Sequence, residues 1–224
     1  MPAWFDIRHD RADEDQAGLR ASQALIEALL AREQARGVPA RRIVLGGFSQ
    51  GCAMALLSGL RHGQRLAGVF GLSGYLPLAG TLADECSAAN RDVPVLLAHG
   101  TQDEMVAPAR AHAARDTLRA LGWRVDWHEY PMGHAVCADE VRELRQWLLA
   151  RLGAGLDDVC EVYLAGAFGN YMNRTSAWRI GLIDVPPERV QPSGNTALLG
   201  AKLALCGDKR QAAEIARIRA MTEH

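Results

Sequence analysis

Ile43-Val44-Leu45-Gly46-Gly47-Phe48-Ser49-Gln50-Gly51 is the stretch from which the fold of this protein can be predicted. Its first three residues are bulky aliphatics, which are typical of a short buried strand. Its last five residues fit the pattern G-x-S-x-G, in which small neighbours allow a sharp strand-to-helix turn that projects the serine hydroxyl. Residues 52–60 then have helical composition. The stretch therefore predicts a strand, a tight turn carrying Ser49 and a helix.

Strands and helices alternate on both sides of this turn. An amphipathic helix is predicted over residues 17–35, ahead of the strand. Further strands are predicted at residues 66–72, 93–98 and 123–130, and further helices at residues 108–121 and 139–152. Alternation of this kind indicates an α/β fold, with a parallel sheet and helices on both of its faces.

Composition and charge exclude several classes of protein. The 224 residues carry 25 Lys and Arg against 26 Asp and Glu, a net charge of −1, so no basic excess indicates a nucleic-acid partner. The apolar runs are too short for a membrane span, and the first residues lack the pattern of a secretory signal. The 5 cysteines show no CxxC spacing, which favours reduced thiols in a cytoplasmic protein without a metal site.

Two further residues complete a catalytic pattern with Ser49. A nucleophilic serine needs a histidine base and an acid that orients it, in the chain order Ser, Asp, His for this fold. Asp103 follows the strand predicted at residues 93–98, and His134 follows the one at residues 123–130. Asp103 alone would be more typical of a turn or a helix N-cap, and the contexts of His99 and His128 favour structural roles. Taken together, the three residues predict a catalytic triad.

Gln50 follows the predicted nucleophile and opens the helix. Its backbone N–H would point at the oxygen that becomes negative when the serine attacks a carbonyl, and the helix N-terminus would add to the effect. We therefore expect this N–H to be an oxyanion donor.

Residues 1 to about 152 resemble the bacterial carboxylesterase/phospholipase family, the small α/β hydrolases that include acyl-protein thioesterases. The segments that carry the resemblance are Met1-Pro2-Ala3-Trp4-Phe5-Asp6-Ile7, the stretch from Arg42 to Gly51, Leu72-Ser73-Gly74-Tyr75-Leu76-Pro77, His99-Gly100 with Asp103 and Val106, and Tyr130-Pro131-Met132-Gly133-His134. The resemblance implies Ser49 as nucleophile, Asp103 as acid and His134 as base. It also implies hydrolysis of short to medium acyl esters, thioesters or lysophospholipids, without a cofactor.

The sequence also departs from that family. Its members begin several tens of residues earlier, with a strand and a His-Gly-Leu-Gly-type loop that supplies a second oxyanion donor. No His-Gly pair precedes Ser49 here. We therefore expect an incomplete hydrolase sheet and a weaker enzyme, because the loss of one oxyanion donor lowers the rate by about 10²–10³-fold.

The composition changes near Gly153-Ala154-Gly155, which predicts a truncated hydrolase domain at residues 1–153 and an extension at residues 154–224. The extension resembles the C-terminal end of the ATP-dependent reductive activators of corrinoid proteins, which have an actin/Hsp70-like fold. Its glycine turn, Gly166-Ala167-Phe168-Gly169, has no lysine or acid nearby and is most typical of a simple turn. We expect a strand at residues 159–165 that joins the incomplete hydrolase sheet, and helices at residues 196–205 and 210–220.

Three functions remain in competition. The first is a serine carboxylesterase acting on short-chain acyl esters, and the second is a catalytically impaired remnant that acts only in assembly or interaction. A nucleotide-binding module in the extension ranks last. Because an incomplete sheet exposes the edge of a strand, a homodimer is also expected, with exchange of tails or helices between subunits as one form of it.

Overall fold

The computed structural model describes residues 4–6, 14–153, 155–158, 162–164, 174–179 and 185–192. Apart from the first two residues, the chain divides into two compact units, one of residues 3–152 and one of residues 153–224.

A four-stranded parallel sheet forms the centre of the first unit. Its strands are β1 (Val44–Phe48), β2 (Gly68–Leu72), β3 (Val95–Gly100) and β4 (Val125–Tyr130). They lie side by side in chain order, with Val44 opposite Gly68, Val69 opposite Val95 and Val95 opposite Val125. The predicted α/β fold with a parallel sheet is confirmed. Parallel strands in chain order bring all four carboxyl ends to one edge of the sheet, which is where α/β proteins build their sites.

Helices connect the strands and cover the sheet. They are α1 (Gln16–Ala35), α2 (Gln50–Gly59), α3 (Leu82–Glu85), α4 (Pro108–Ala120) and α5 (Ala138–Leu152), with short 3₁₀ turns at Ala40–Arg42, Ala79–Thr81 and Ala88–Asn90. The Asp15 carboxylate accepts a hydrogen bond from the N–H of Gly18 at 3.0 Å and so caps α1. Pro108 occupies the first turn of α4, where its missing N–H would have no helical acceptor anyway.

Apolar side chains pack on both faces of the sheet. The larger core cluster includes Leu19, Leu56, Val69, Leu97 and Leu118, and the smaller one includes Leu72, Leu96, Ala98, Tyr130 and Trp147. Every residue of β3 is buried, because neighbouring strands and both layers of side chains surround it. Burial on two faces explains why this strand is apolar in sequence without alternation.

The outer edge of β1 has no strand neighbour within the described residues. The residues of this strand are only partly buried or exposed, and Leu25 and Leu29 of α1 are also exposed. An apolar groove of about 220 Å³ lies between α1, β1 and α2, with Trp4, Leu45 and Met54 among its lining residues. Within the described residues, the β1 edge of the sheet is therefore partly exposed.

The second unit has a small parallel sheet of its own. Strand β5 (Val162–Leu164) pairs with β6 (Val190–Pro192), with Val162 opposite Val190. A short helix α6 (Arg174–Arg179) lies between them in sequence, and Arg174 Nη1 donates to the carbonyl oxygen of Val190 at 2.6 Å. The 3₁₀ turns Leu156–Asp158 and Pro187–Arg189 complete the described part.

The expectation that residues 159–165 would extend the hydrolase sheet is wrong. Three of these residues form β5. This strand pairs in parallel with β6, which follows it in the chain and belongs to the same unit. The helices expected at residues 196–205 and 210–220, and the glycine turn at residues 166–169, lie outside the described residues.

Candidate active site

Ser49 occupies a strained turn between β1 and α2. Its φ of 56° and ψ of −117° are unfavourable for a residue with a side chain, at roughly 1–3 kcal/mol, and such strain is common at functional sites. Its N–H donates to the carbonyl oxygen of Leu72 at 2.8 Å, so β2 supports the turn. Because β1 ends at Phe48 and α2 begins at Gln50, the Ser49 hydroxyl stands at the carboxyl edge of the sheet.

Small residues allow the chain to approach this turn closely. A Cβ atom on Gly47 would lie 2.4 Å from the carbonyl carbon of Gly51, and one on Gly74 would lie 2.8 Å from the carbonyl oxygen of Ser49. A Cβ atom on Gly51 would meet nothing within 4 Å. Close contact with Gly51 therefore explains why residue 47 is a glycine. Nothing in the structure explains why residue 51 is one.

The three residues of the predicted triad come together. His134 Nε2 lies 2.9 Å from Ser49 Oγ, and His134 Nδ1 lies 2.8 Å from Asp103 Oδ2. Since a carboxylate only accepts, the Nδ1–H of the imidazole donates to Asp103, which leaves Nε2 free to accept the proton of the serine. This is the geometry of a nucleophile, a base and an orienting acid.

Asp103 is held as an ionised acceptor. Its side chain is buried, with the residue 4% exposed, and Oδ1 accepts the N–H groups of Met105 and Val106, each at 2.9 Å. Burial raises the pKa of this carboxyl, but the hydrogen bonds from His134 and from the backbone of Val106 and Met105 outweigh it and hold the pKa below its usual value. The carboxylate that accepts the hydrogen bond from His134 Nδ1 is thus negatively charged.

The loop that carries His134 packs closely on the end of β3. A Cβ atom on Gly100 would lie 2.3 Å from the carbonyl oxygen of Met132 and 2.5 Å from that of Gly133. The N–H of Gln102 donates to the Met132 carbonyl oxygen at 3.0 Å and fixes the same loop. Gly100 therefore permits the approach that brings His134 to Asp103.

Phe48 is a site residue that the sequence did not identify. Its ring is 37% exposed and contacts the imidazole of His134, with centroids 4.7 Å apart and planes at 45°. Phe48 is the variable position in G-x-S-x-G, and the pattern carries no signal that its ring reaches a residue so distant in sequence.

Gln50 joins the nucleophile turn to the start of the chain. Its Nε2 donates to the Phe5 carbonyl oxygen at 3.0 Å, and its Oε1 accepts the Trp4 N–H at 3.3 Å. Phe5 is buried and makes an edge contact with the ring of Tyr75. As the first residue of α2, Gln50 also has a backbone N–H without an acceptor inside the helix. Its backbone is thus available at the position where an oxyanion donor is expected.

No group of three or more potential metal ligands occurs within the described residues. Cys52, Cys86 and Cys137 are free thiols, and burial raises the pKa of the Cys52 thiol to about 12. A thiol with so high a pKa stays neutral, which is typical of a cysteine that packs in the core and does not react.

A parallel sheet with a strained serine after one strand, an acid after another and a histidine after the last defines an α/β hydrolase. Residues 1–151 match the phospholipase/carboxylesterase family. The chain belongs to that family.

The relatives of this chain share the same region. Acyl-protein thioesterase 1 of Yarrowia lipolytica is 38% identical over 154 residues, which are 66% of this chain and 68% of the relative. The crystal structure of Zea mays acyl-protein thioesterase 2 is 34% identical with a TM-score of 0.58, over 67% of this chain and 73% of that one. Arabidopsis thaliana SOBER1 is 27% identical with a TM-score of 0.63, over 67% and 74% of the two chains.

A second family matches the other end of the chain. Residues 136–224 match the C-terminal domain of RACo, the ASKHA domain. The chain thus joins parts that resemble two families, as the sequence predicted.

Proposed function

We propose that this protein is a serine carboxylesterase that hydrolyses acyl esters through an acyl-enzyme. The observation that carries the proposal is the unbroken chain of hydrogen-bonding distances from Ser49 through His134 to Asp103, at 2.9 Å and 2.8 Å. Each of the three follows a different strand of one sheet, so the arrangement depends on the whole fold of the first unit.

Acylation begins when His134 Nε2 takes the proton of the Ser49 hydroxyl as Oγ attacks the carbonyl carbon of the ester. The carbonyl oxygen becomes negative, and the backbone N–H of Gln50 donates to it. His134 then gives its proton to the leaving alcohol or thiol as the bond to that group breaks. Asp103 stays ionised throughout and stabilises the imidazolium.

Deacylation repeats the sequence with water. His134 takes a proton from water as its oxygen attacks the acyl carbon, and returns a proton to Ser49 Oγ as the acyl–serine bond breaks. The products are a carboxylic acid and the free enzyme. No step requires a cofactor or a metal.

We propose short acyl chains as substrates, with thioesters and lysophospholipids as alternatives. The partly exposed Phe48 contacts the imidazole of His134 with its ring, and a small apolar surface of this kind suits an acyl group of a few carbons. The relatives named acyl-protein thioesterases make a thioester the first alternative to test.

The deciding experiment measures turnover of p-nitrophenyl acetate together with labelling by a fluorophosphonate, which a nucleophilic serine attacks with loss of fluoride. We expect turnover that the reagent abolishes, and peptide mapping that finds the label on Ser49. Absence of both turnover and label would refute the proposal. Ser87→Ala is a suitable control, because Ser87 lies away from the triad and caps a 3₁₀ turn.

The edge of β1, which has no strand neighbour among the described residues, favours a second, separate proposal, that the protein self-associates. Exposed strand edges pair readily with another chain, and two copies of β1 related by a twofold axis would satisfy each other's backbone groups. An assembly role without catalysis is the alternative if the triad proves inactive. Light scattering after size exclusion decides the point, because a compact species with the mass of one chain would refute self-association.

We also propose two domains, at residues 1–153 and 154–224, and a cytoplasmic location. The three described cysteines are free, as is usual in a reducing compartment. None of the helices in the described part of the chain is long and apolar enough to cross a membrane.

A further inference from the structure

His99 lies in β3, beside the catalytic acid, and is 1% exposed. Its Nε2 is 2.8 Å from the carbonyl oxygen of Val106 and 3.5 Å from Asp103 Oδ2. Two imidazoles therefore lie near the same carboxylate oxygen of Asp103, and the reaction described above uses only His134.

The contact with Val106 determines the tautomer of His99. Because a carbonyl oxygen can only accept, Nε2 carries the proton, and Nδ1 is left as an acceptor. Nδ1 is buried and makes no hydrogen bond within the described part of the chain. A buried polar atom without a partner is unfavourable, so a donor is expected near it.

Ser73 lies beside His99 on the neighbouring strand and carries a donor group. Leu72 lies opposite Ala98, and the Ser73 N–H donates to the Ala98 carbonyl oxygen at 2.9 Å, so Ser73 continues β2 beside His99. Its φ is 48°, it is fully buried, and its hydroxyl has no partner among the residues described. A cavity of about 10 Å³ borders His99, Gly74 and Tyr75, which is room for a single water molecule.

We propose that His99 is a positioning residue for the catalytic acid, with Ser73 linked to its Nδ1 through one water. The inference rests on the proposed esterase function. The backbone of Val106 links the two groups: its carbonyl oxygen accepts the His99 N–H, and its N–H donates to Asp103 Oδ1. His99 thereby holds the turn that aims the carboxylate at His134.

A small movement of this turn is enough to reduce catalysis. Catalytic groups must be held within about 0.5 Å of their working positions, and a misplacement of about 1 Å can lower the rate 10²-fold. Without the bond to Val106, Asp103 would lose alignment with His134 Nδ1 while substrate contacts stayed intact.

A matched pair of substitutions tests the proposal. In His99→Gln the side-chain N–H₂ still reaches the Val106 carbonyl oxygen, whereas in His99→Asn it is too short. We expect His99→Asn to lower kcat at least about tenfold with little change in KM, and to move the acid limb of the pH–rate profile to lower pH. His99→Gln should retain kcat within about threefold. A purely structural role would instead lower the melting temperature of both variants and leave kcat and the profile of the folded enzyme unchanged.

A readout that needs no activity separates this inference from the esterase proposal. The downfield NMR signal of the His134 Nδ1–H reports its hydrogen bond to Asp103. We expect the signal to persist in His99→Gln and to disappear in His99→Asn. Its persistence in His99→Asn would overturn the positioning role, even in an enzyme without turnover. In Ser73→Ala, the ¹⁵N shift of His99 Nδ1 should change, and an unchanged shift would overturn the assignment of Ser73.

Discussion

His134 Nε2 lies 2.9 Å from Ser49 Oγ, although 85 positions of sequence separate the two residues. Ser49 follows β1 and His134 follows β4, the two outer strands of the four-stranded sheet. The loops at their carboxyl ends span the two intervening strands, and the loop of His134 does so by resting on Gly100. The close approach of these two side chains is therefore a property of the whole sheet.

The triad should act as a unit. Ser49→Ala and His134→Ala should each lower the kcat for p-nitrophenyl acetate by at least about 10³-fold, and the double variant should be no worse than either single one. His112→Ala is the matched control, because His112 pairs with Glu129 on the surface and should keep full activity. Retention of more than about a tenth of the activity by Ser49→Ala would mean that another residue is the nucleophile.

Asp103→Asn should preserve the fold and remove most of the activity. An amide in place of the carboxylate can donate to His134 Nδ1, which stabilises the tautomer that cannot accept the serine proton, and kcat should fall by about 10³–10⁴-fold. Asp116→Asn replaces an exposed carboxylate on α4 and should have no effect. Equal kcat values for these two variants would contradict the role of Asp103.

Gly100→Ala should impair catalysis although it replaces none of the three triad residues. The added methyl group would lie 2.3 Å from the Met132 carbonyl oxygen, so the loop carrying His134 must move away. We expect kcat to fall by about 10- to 100-fold, as measured with the acetate ester. Gly80→Ala is the control, since its Cβ would meet nothing within 4 Å. Full activity in Gly100→Ala would show that the position of this loop does not limit the reaction.

Glu140 should make the stability of the protein depend on pH. It is 1% exposed at the start of α5, and both carboxyl oxygens lack a partner in the part of the chain that is described. Burial raises the pKa of its carboxyl from 4.5 to about 7, and the backbone N–H of Cys137, which lies nearby without forming a hydrogen bond of good geometry, offsets this only in part. The folded chain therefore binds more protons than the unfolded chain between these values. Stability falls as the pH rises through this interval and stays low above it.

Glu140→Gln removes the charge, so it should stabilise the protein at pH 8 far more than at pH 5. The difference between the two pH values should be on the order of 2 kcal/mol, from urea unfolding curves of variant and wild type. Glu33→Gln, at an exposed position of α1, should show no such difference. A stability change that is equal at both pH values would mean that the pKa of the Glu140 carboxyl is not raised in the folded protein.

Acetate and butyrate esters should be better substrates than long-chain esters. The Phe48 ring contacts the imidazole of His134, and we expect long acyl chains to extend beyond this ring into water. The measurement is kcat/KM for p-nitrophenyl esters from acetate to palmitate, below the concentrations at which they aggregate. A steady rise to palmitate would contradict the proposed preference.

Much of the first unit could be predicted because its signals are local. The apolar run before Ser49 predicted β1, and the pattern around the serine predicted the turn that its φ of 56° confirms. Asp103 and His134 were identifiable because each directly follows a strand. The pairing of β5 was predicted wrongly, because strand composition indicates that a segment is extended but does not indicate which neighbour its backbone groups will bond.

The sequence by itself determined the order of elements, the strained turn and the three residue types of the triad, because these depend on residues close together in the chain. Only the tertiary structure decided that Phe48 contacts the imidazole, that Gly100 admits the loop of His134 and that His99 reaches the Val106 carbonyl oxygen. These contacts join different strands and loops. Their distances follow from the register of the sheet and the packing of its loops, which no local pattern of residues encodes.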